Sequence, residues 1–249
     1  MSAPASPNTP RLVLATGLPE LARAAAAAIT QRAEATLAGH DRFRIALAGG
    51  STPRAIYPAL VDRIDWSRAE VFFGDERAVR PTDPQSNYRM ARETLLDPAR
   101  VPSGRVFRWR AEDTDLDAAA RDYESALRAG GPPWLDLALL GLGPDGHTAS
   151  LFPGTAGLAE QQRLAVAVDV PAMGARRLTL TYPAFNETRA IFFMIAGHEK
   201  ARALADALRP ESTLPAARVL HGPAPVTVFC DQDAASLLPP EIRANMTTT

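Results

Sequence analysis

Four short polar stretches of this sequence carry groups suited to chemistry. Asp145-Gly146-His147 lies within DLALLGLGPDGHTASLFPG, Asp136 to Gly154. Histidine is the side chain whose ordinary pKa allows proton transfer near neutrality, and a neighbouring carboxylate orients and tunes it. Gly49-Gly50-Ser51-Thr52-Pro53-Arg54 follows the apolar run FRIALA. Its glycines let a ligand approach the backbone, Thr52 suits an N-cap and Pro53 a first helical position. Free N–H groups at such a start favour a phosphate, although a plain tight turn before a capped helix is the competing reading. Asp75-Glu76-Arg77 follows EVFF, and three charges at the end of a buried run are costly unless paired or used. A structural Glu–Arg pair is the alternative there. The loop after it brings Asp83, Ser86 and Asn87 towards the same place before turning helical. Finally, His198-Glu199-Lys200 opens a helical pattern, and Lys200 is the single lysine among 27 basic residues. A compact ammonium suits a phosphate where a guanidinium fork does not, against the alternative of an incidental surface lysine.

Gly141, Gly143 and Gly146 also match the G-x-G-x-x-G pattern of dinucleotide sites, with Asp169 closing the next apolar run. In such sites the third glycine lies inside a helix that returns the chain to the next strand. Here Pro153 and Gly154 stop any helix within about two turns of Gly146, and Pro144 stiffens the loop. The glycines are therefore expected to shape a loop that presents His147.

The elements that must position these groups are legible as alternating runs. Strands are expected at RLVLA, FRIALA, EVFF, RVFRW, LDLALL, RLAVAV, RLTLT, AIFFMIA and PVTVF. Helical patterns fall at 18–38, 52–64, 87–96, 115–128 and 198–208. Several strands are apolar on both faces, which implies a mostly parallel sheet with helices on both sides. The expected architecture is a single doubly wound α/β domain over 11–240, with a loose tail at 1–10 and a C-terminal tail at 241–249. Ligands of such sheets bind beyond the carboxyl ends of the strands, and all four polar stretches follow strand runs.

Composition narrows the partners. The formal charge is −1 and no Lys/Arg block occurs, so neither nucleic acid nor an anionic membrane is expected as a partner. No apolar run approaches the roughly 20 residues of a membrane span. The N-terminus lacks the basic and apolar pattern of a signal peptide, and the one cysteine, Cys230, sits in an apolar run. A cytoplasmic protein acting on a small polar molecule is expected. The four histidines, at 40, 147, 198 and 221, show no metal-binding spacing, and no serine or cysteine is paired with a base motif.

Taken together, AGGSTP, FFGDERAV with downstream SNY, GLGPDGHTASLFPG, RLTLTYPAFN and IAGHEKARAL resemble the 6-phosphogluconolactonase family, within the broader superfamily of glucosamine-6-phosphate deaminase. The resemblance runs from Phe43 to Leu208, with a weaker echo in PVTVFCDQDAA. It implies hydrolysis of 6-phospho-D-glucono-1,5-lactone in the oxidative pentose phosphate pathway, without metal or other cofactor. By that analogy His147 activates water, oriented by Asp145 or Asp75. The phosphate would sit on Gly49, Gly50, Ser51 and Thr52, clamped by Lys200 and Arg177 with Arg54 nearby. Arg77 serves either the phosphate or the developing oxyanion. The deaminase pattern places a glutamate five residues beyond the motif histidine, and this chain has Phe152 there, inside LFP. A deaminase or isomerase, a non-catalytic sugar-phosphate-binding module and a dinucleotide oxidoreductase are the competing classes. A monomer or small homo-oligomer is expected.

Overall fold

The computed structural model describes residues 9–249, so most of the expected N-terminal tail lies outside the described residues. Ten strands form: β1 Arg11–Ala15, β2 Phe43–Leu47, β3 Ala69–Phe73, β4 Asp75–Arg77, β5 Leu137–Leu140, β6 Ala165–Val170, β7 Ala175–Leu180, β8 Ile191–Ile195, β9 Val226–Asp231 and β10 Thr247–Thr248. The helices are α1 Leu18–Leu37, α2 Ser51–Ile56, α3 Asn87–Ala91, α4 Leu116–Arg128, α5 Tyr182–Asn186, α6 Ala201–Ala207, α7 Pro215–Leu220 and α8 Pro240–Ala244.

Seven strands make one parallel sheet in the order β10-β1-β9-β8-β5-β2-β3. Every residue of β2, β3 and β5 is buried, as continuous apolar runs require when helices cover both faces. The interior is large and aromatic: Phe43, Phe72, Phe73, Phe185 and Phe193 are among its fully buried side chains. Each such ring stabilises the fold by about 1.5–3 kcal/mol relative to exposure.

Two of the expected strands leave this sheet. β6 and β7 pair antiparallel with each other, and β7 pairs antiparallel with β4, giving a separate three-stranded sheet. The reason is connection length. Only Pro171 to Gly174 lie between β6 and β7, and a parallel return needs a crossover of a dozen or more residues. Gly74 joins the two sheets: its N–H donates to the Leu47 carbonyl (2.9 Å) and its carbonyl accepts from Leu180 (2.8 Å).

Two further expectations are corrected. RVFRW forms no strand; Val106 makes one isolated bridge to Val71, and Trp109 Nε1 donates to the Phe73 carbonyl at 3.0 Å. The run flanks the β3 edge instead of extending it. The segment expected as a C-terminal tail carries α8 and β10, and β10 pairs parallel with β1 at the sheet edge. Neither short element has the apolar periodicity that would mark it in the sequence. Among the described residues no helix is long and apolar enough to cross a membrane.

Candidate active site

A cleft of about 190 Å³ opens beyond the carboxyl ends of β2, β3, β5 and β8. Gly49, Gly50, Ser51, Thr52, Asp75, His147 and Lys200 all line it, so the four polar stretches meet in space as the strand-end rule requires.

His147 stands on the loop after β5. Its Nδ1 is 2.5 Å from Asp145 Oδ1, and its ring stacks on Phe152 with centroids 4.0 Å apart. A carboxylate partner holds the proton on Nδ1, which leaves Nε2 as the basic nitrogen. Burial opposes the Asp145 charge, but hydrogen bonds from the His147 ring and backbone, with the imidazole's charge, outweigh it and hold its pKa below the usual range. The contribution of that carboxylate is therefore present above the ordinary aspartate range and lost as pH falls through the lowered pKa.

The glycines explain how this pair fits. A β-carbon on Gly143 would lie 2.0 Å from His147 Nδ1 and 2.6 Å from Asp145 Oδ1, so both side chains close over bare backbone. The Gly143 N–H donates to the His147 carbonyl at 2.8 Å, curling the loop onto itself. Gly146 has φ +81°, and a β-carbon there would run into Leu214 at 2.6 Å. Ala149, which also lines the cleft, holds φ 48°. For a residue with a β-carbon that conformation costs about 1–2 kcal/mol. Gly143→Ala is expected to displace the imidazole and lower kcat about 10²-fold, with far-UV circular dichroism unchanged. Native turnover from a folded G143A protein would show that the close approach has no catalytic consequence.

Of the two acids expected to orient His147, Asp145 touches it, whereas Asp75 is engaged elsewhere. Asp75 Oδ2 accepts from Ser150 Oγ at 2.6 Å, and Asn87 Nδ2 donates to both the Asp75 carbonyl (2.9 Å) and Oδ1 (3.2 Å). The Asn87 side chain in turn occupies the space a β-carbon on Gly49 would need, 1.8 Å from its Oδ1. Asn87, Ser150 and Thr179, which accepts from the Ser150 N–H, thus hold Asp75 at the cleft wall. Sequence reasoning missed Ser150 and Thr179, because their partners lie 75 and 29 residues away.

Glu76 makes no ion pair among the described residues. Its buried carboxylate accepts from the N–H groups of Arg77, Asn87 and Tyr88, each at 2.8 Å, and from Ser86 Oγ at 3.0 Å. Burial pushes its pKa up against those bonds. The residue anchors the start of α3, in place of the Glu–Arg pair that the sequence offered as an alternative.

The cations are placed in two groups. Lys200 lines the cleft without an ion-pair partner among the described residues. Arg77 and Arg177 face each other as register partners across β4 and β7, on the same side of the small sheet as Asp75. Arg77 Nη1 donates to the Gln85 carbonyl and Arg177 Nη2 approaches Met173 Sδ at 3.4 Å, yet the Nε of each is buried without a partner. Burial, then repulsion from Arg77, lowers the Arg177 pKa. Like charges directly opposed across strands are destabilising, which favours an anion beside them. Neither arginine is among the cleft's lining residues. Arg54 is exposed on α2 and does not line it either. Thr52 is not the N-cap: α2 starts at Ser51, capped by Gly50 with φ 103° and no side-chain bond, so Pro53 is its third residue. Among the described residues no group of three or more His, Cys, Asp or Glu side chains is arranged to hold a metal ion.

A doubly wound α/β protein with its polar cleft at the strand ends is the class that this architecture defines. The family model described as "Glucosamine-6-phosphate isomerases/6-phosphogluconolactonase" matches residues 18–228, and the chain belongs to that family. It is 39% identical to a 6-phosphogluconolactonase of Synechocystis sp. over 191 residues, 74% of this chain and 79% of that one. The solved 6-phosphogluconolactonase of Trypanosoma brucei is similar over 93% of this chain and all of its own, with TM-score 0.82 and 28% identity. A monomeric glucosamine-6-phosphate deaminase shares the fold at TM-score 0.78 and 24% identity, covering 91% of this chain and 99% of that one. The fold is thus common to both chemistries, and the side chains must separate them.

Proposed function

We propose that this protein hydrolyses 6-phospho-D-glucono-1,5-lactone to 6-phospho-D-gluconate, the lactone-opening step of the oxidative pentose phosphate pathway, in the cytoplasm. The observation that carries the reading is the His147–Asp145 pair set in a cleft that also holds an unpaired ammonium, Lys200. The names of the similar lactonases support it. So does Phe152, whose ring lies against the imidazole at the position where the deaminase pattern has a carboxylate.

In this mechanism His147 Nε2 takes a proton from water as the water oxygen bonds to the lactone carbonyl carbon. The tetrahedral oxyanion then collapses. The bond from that carbon to the ring oxygen breaks, and the imidazolium returns its proton to the departing oxygen. The carboxylic acid product ionises to solvent. Asp145 keeps Nε2 unprotonated between turnovers and stabilises the transient imidazolium. The 6-phosphate rests on the Gly49–Thr52 backbone and Lys200, with the Arg77–Arg177 pair supplying further positive charge to the phosphate or the oxyanion.

Acid release from freshly generated 6-phosphogluconolactone near neutral pH, compared with the spontaneous rate and with unphosphorylated gluconolactone, tests the reading. Acceleration selective for the phosphorylated lactone is expected. Rates equal to the spontaneous one for both lactones would overturn the assignment.

A further inference from the structure

The turn that carries Lys200 is held from outside the cleft. Asp231, at the end of β9, is 5% exposed and makes no ion pair among the described residues. Its carboxylate instead accepts from the Gly197 N–H with both oxygens, each at 3.1 Å, and from the Ala234 N–H at 2.8 Å. Gly197 adopts φ +98°, and its carbonyl accepts from the Lys200 N–H at 3.1 Å. A continuous chain of hydrogen bonds therefore runs from the Asp231 carboxylate through the Gly197 peptide groups to the Lys200 backbone. A second tether lies beside it: Ser236 Oγ is 3.2 Å from His198 Nδ1 and donates to the Asp233 carbonyl at 2.7 Å. Burying a carboxylate without a cation is costly unless every bond it makes is specific. Here the bonds go to the one turn that presents the only lysine of the chain.

We infer that Asp231, with Ser236 assisting, is a positioning residue for substrate phosphate recognition: it fixes the Gly197–Lys200 turn so that the ammonium meets the ligand in a preset place. The inference rests on the reading of Lys200 as the phosphate-binding cation. A preset cation loses less freedom on binding than one on a loose turn, so the device acts on affinity for the phosphorylated ligand and not on proton transfer. Asp231→Asn keeps the shape but turns an amide N–H₂ towards backbone N–H donors.

The test is a double-mutant cycle on the full chain, with D231N, K200A and D231N/K200A assayed on phosphorylated and unphosphorylated gluconolactone and with inorganic phosphate as competitor. Losing a hydrogen bond to a charged group predicts that D231N raises KM for the phosphorylated lactone about tenfold. Turnover at saturation stays near native, and the inhibition constant of phosphate rises in parallel. In the K200A background D231N should add nothing to KM, because its effect passes through the lysine. A D231N effect that appears in full in that background, or equally on both lactones, would overturn the inference while leaving the lysine's role intact. If K200A itself left phosphate selectivity unchanged, the reading beneath the inference would fail first, and the inference with it. Should D231N not fold, S236A decides. It removes the outer tether at an exposed site, and it should raise KM for the phosphorylated lactone about two- to threefold only when Lys200 is present. No change in KM would overturn the inference.

Discussion

Replacing His147 with alanine is expected to lower kcat by about 10²–10⁴-fold, the usual worth of a positioned general base. The expectation follows from geometry. Asp145 occupies Nδ1, Phe152 supports one face of the ring, and Nε2 makes no hydrogen bond among the described residues. Stability should change by less than about 1 kcal/mol, because the ion pair that is lost is solvent-exposed on the aspartate side and such pairs contribute little. A thermal melt close to native, combined with a collapsed kcat for 6-phosphogluconolactone, is therefore the expected pair of results. KM should move little, since the imidazole acts on the attacking water and not on the bound phosphate. Turnover within about threefold of native in a folded protein would end the base assignment. Attention would then move to Asp75, the other acid of the cleft.

Lys200→Ala is expected to raise KM for the phosphorylated lactone by about 10–100-fold while changing kcat far less. A charge-assisted hydrogen bond contributes about 1.5–3 kcal/mol, and each 1.4 kcal/mol is a factor of ten. The ammonium lines the cleft opposite no carboxylate, so its removal relieves no internal ion pair that would mask the effect. Unphosphorylated gluconolactone is the control, because selectivity between the two lactones should fall by the same factor. Lys200→Arg should recover only part of the affinity: a planar fork delivers its donors in a different direction from a compact ammonium on a flexible stem. An unchanged KM in K200A would move the phosphate to the Arg77–Arg177 pair, the other cationic group without a carboxylate partner. Together the two substitutions separate proton transfer from phosphate binding, one acting on kcat and the other on KM.

Much of this was legible before any coordinates. The two-sided apolar runs at Phe43, Ala69 and Leu137 announced buried parallel strands, because only helices on both faces can cover them. Pro153 and Gly154 excluded a dinucleotide helix after Gly146 by local stereochemistry alone. The four polar stretches could be assigned to one cleft because ligands of doubly wound sheets gather at the carboxyl ends of strands. The distinction between lactonase-like and deaminase-like side chains rested on one position, Phe152, and the structure places that ring against His147.

Other features were decided only by the tertiary structure. The second sheet depends on β4 meeting β7 about a hundred residues later, and no local propensity encodes which strand a three-residue segment will find. The choice between Asp145 and Asp75 as the partner of His147 was a matter of distance, settled by a loop curled tightly enough to bring residues 145 and 147 together over Gly143. Ser150 and Asp231 entered the site's support through hydrogen bonds to residues 75 and 34 positions away. Sequence by itself determines what each segment can become and which groups carry chemistry, because backbone preference and side-chain pKa are local properties. Which carboxylate orients, which glycine must stay bare and which distant acid steadies the lysine are relations between segments, and they exist only once the chain has packed.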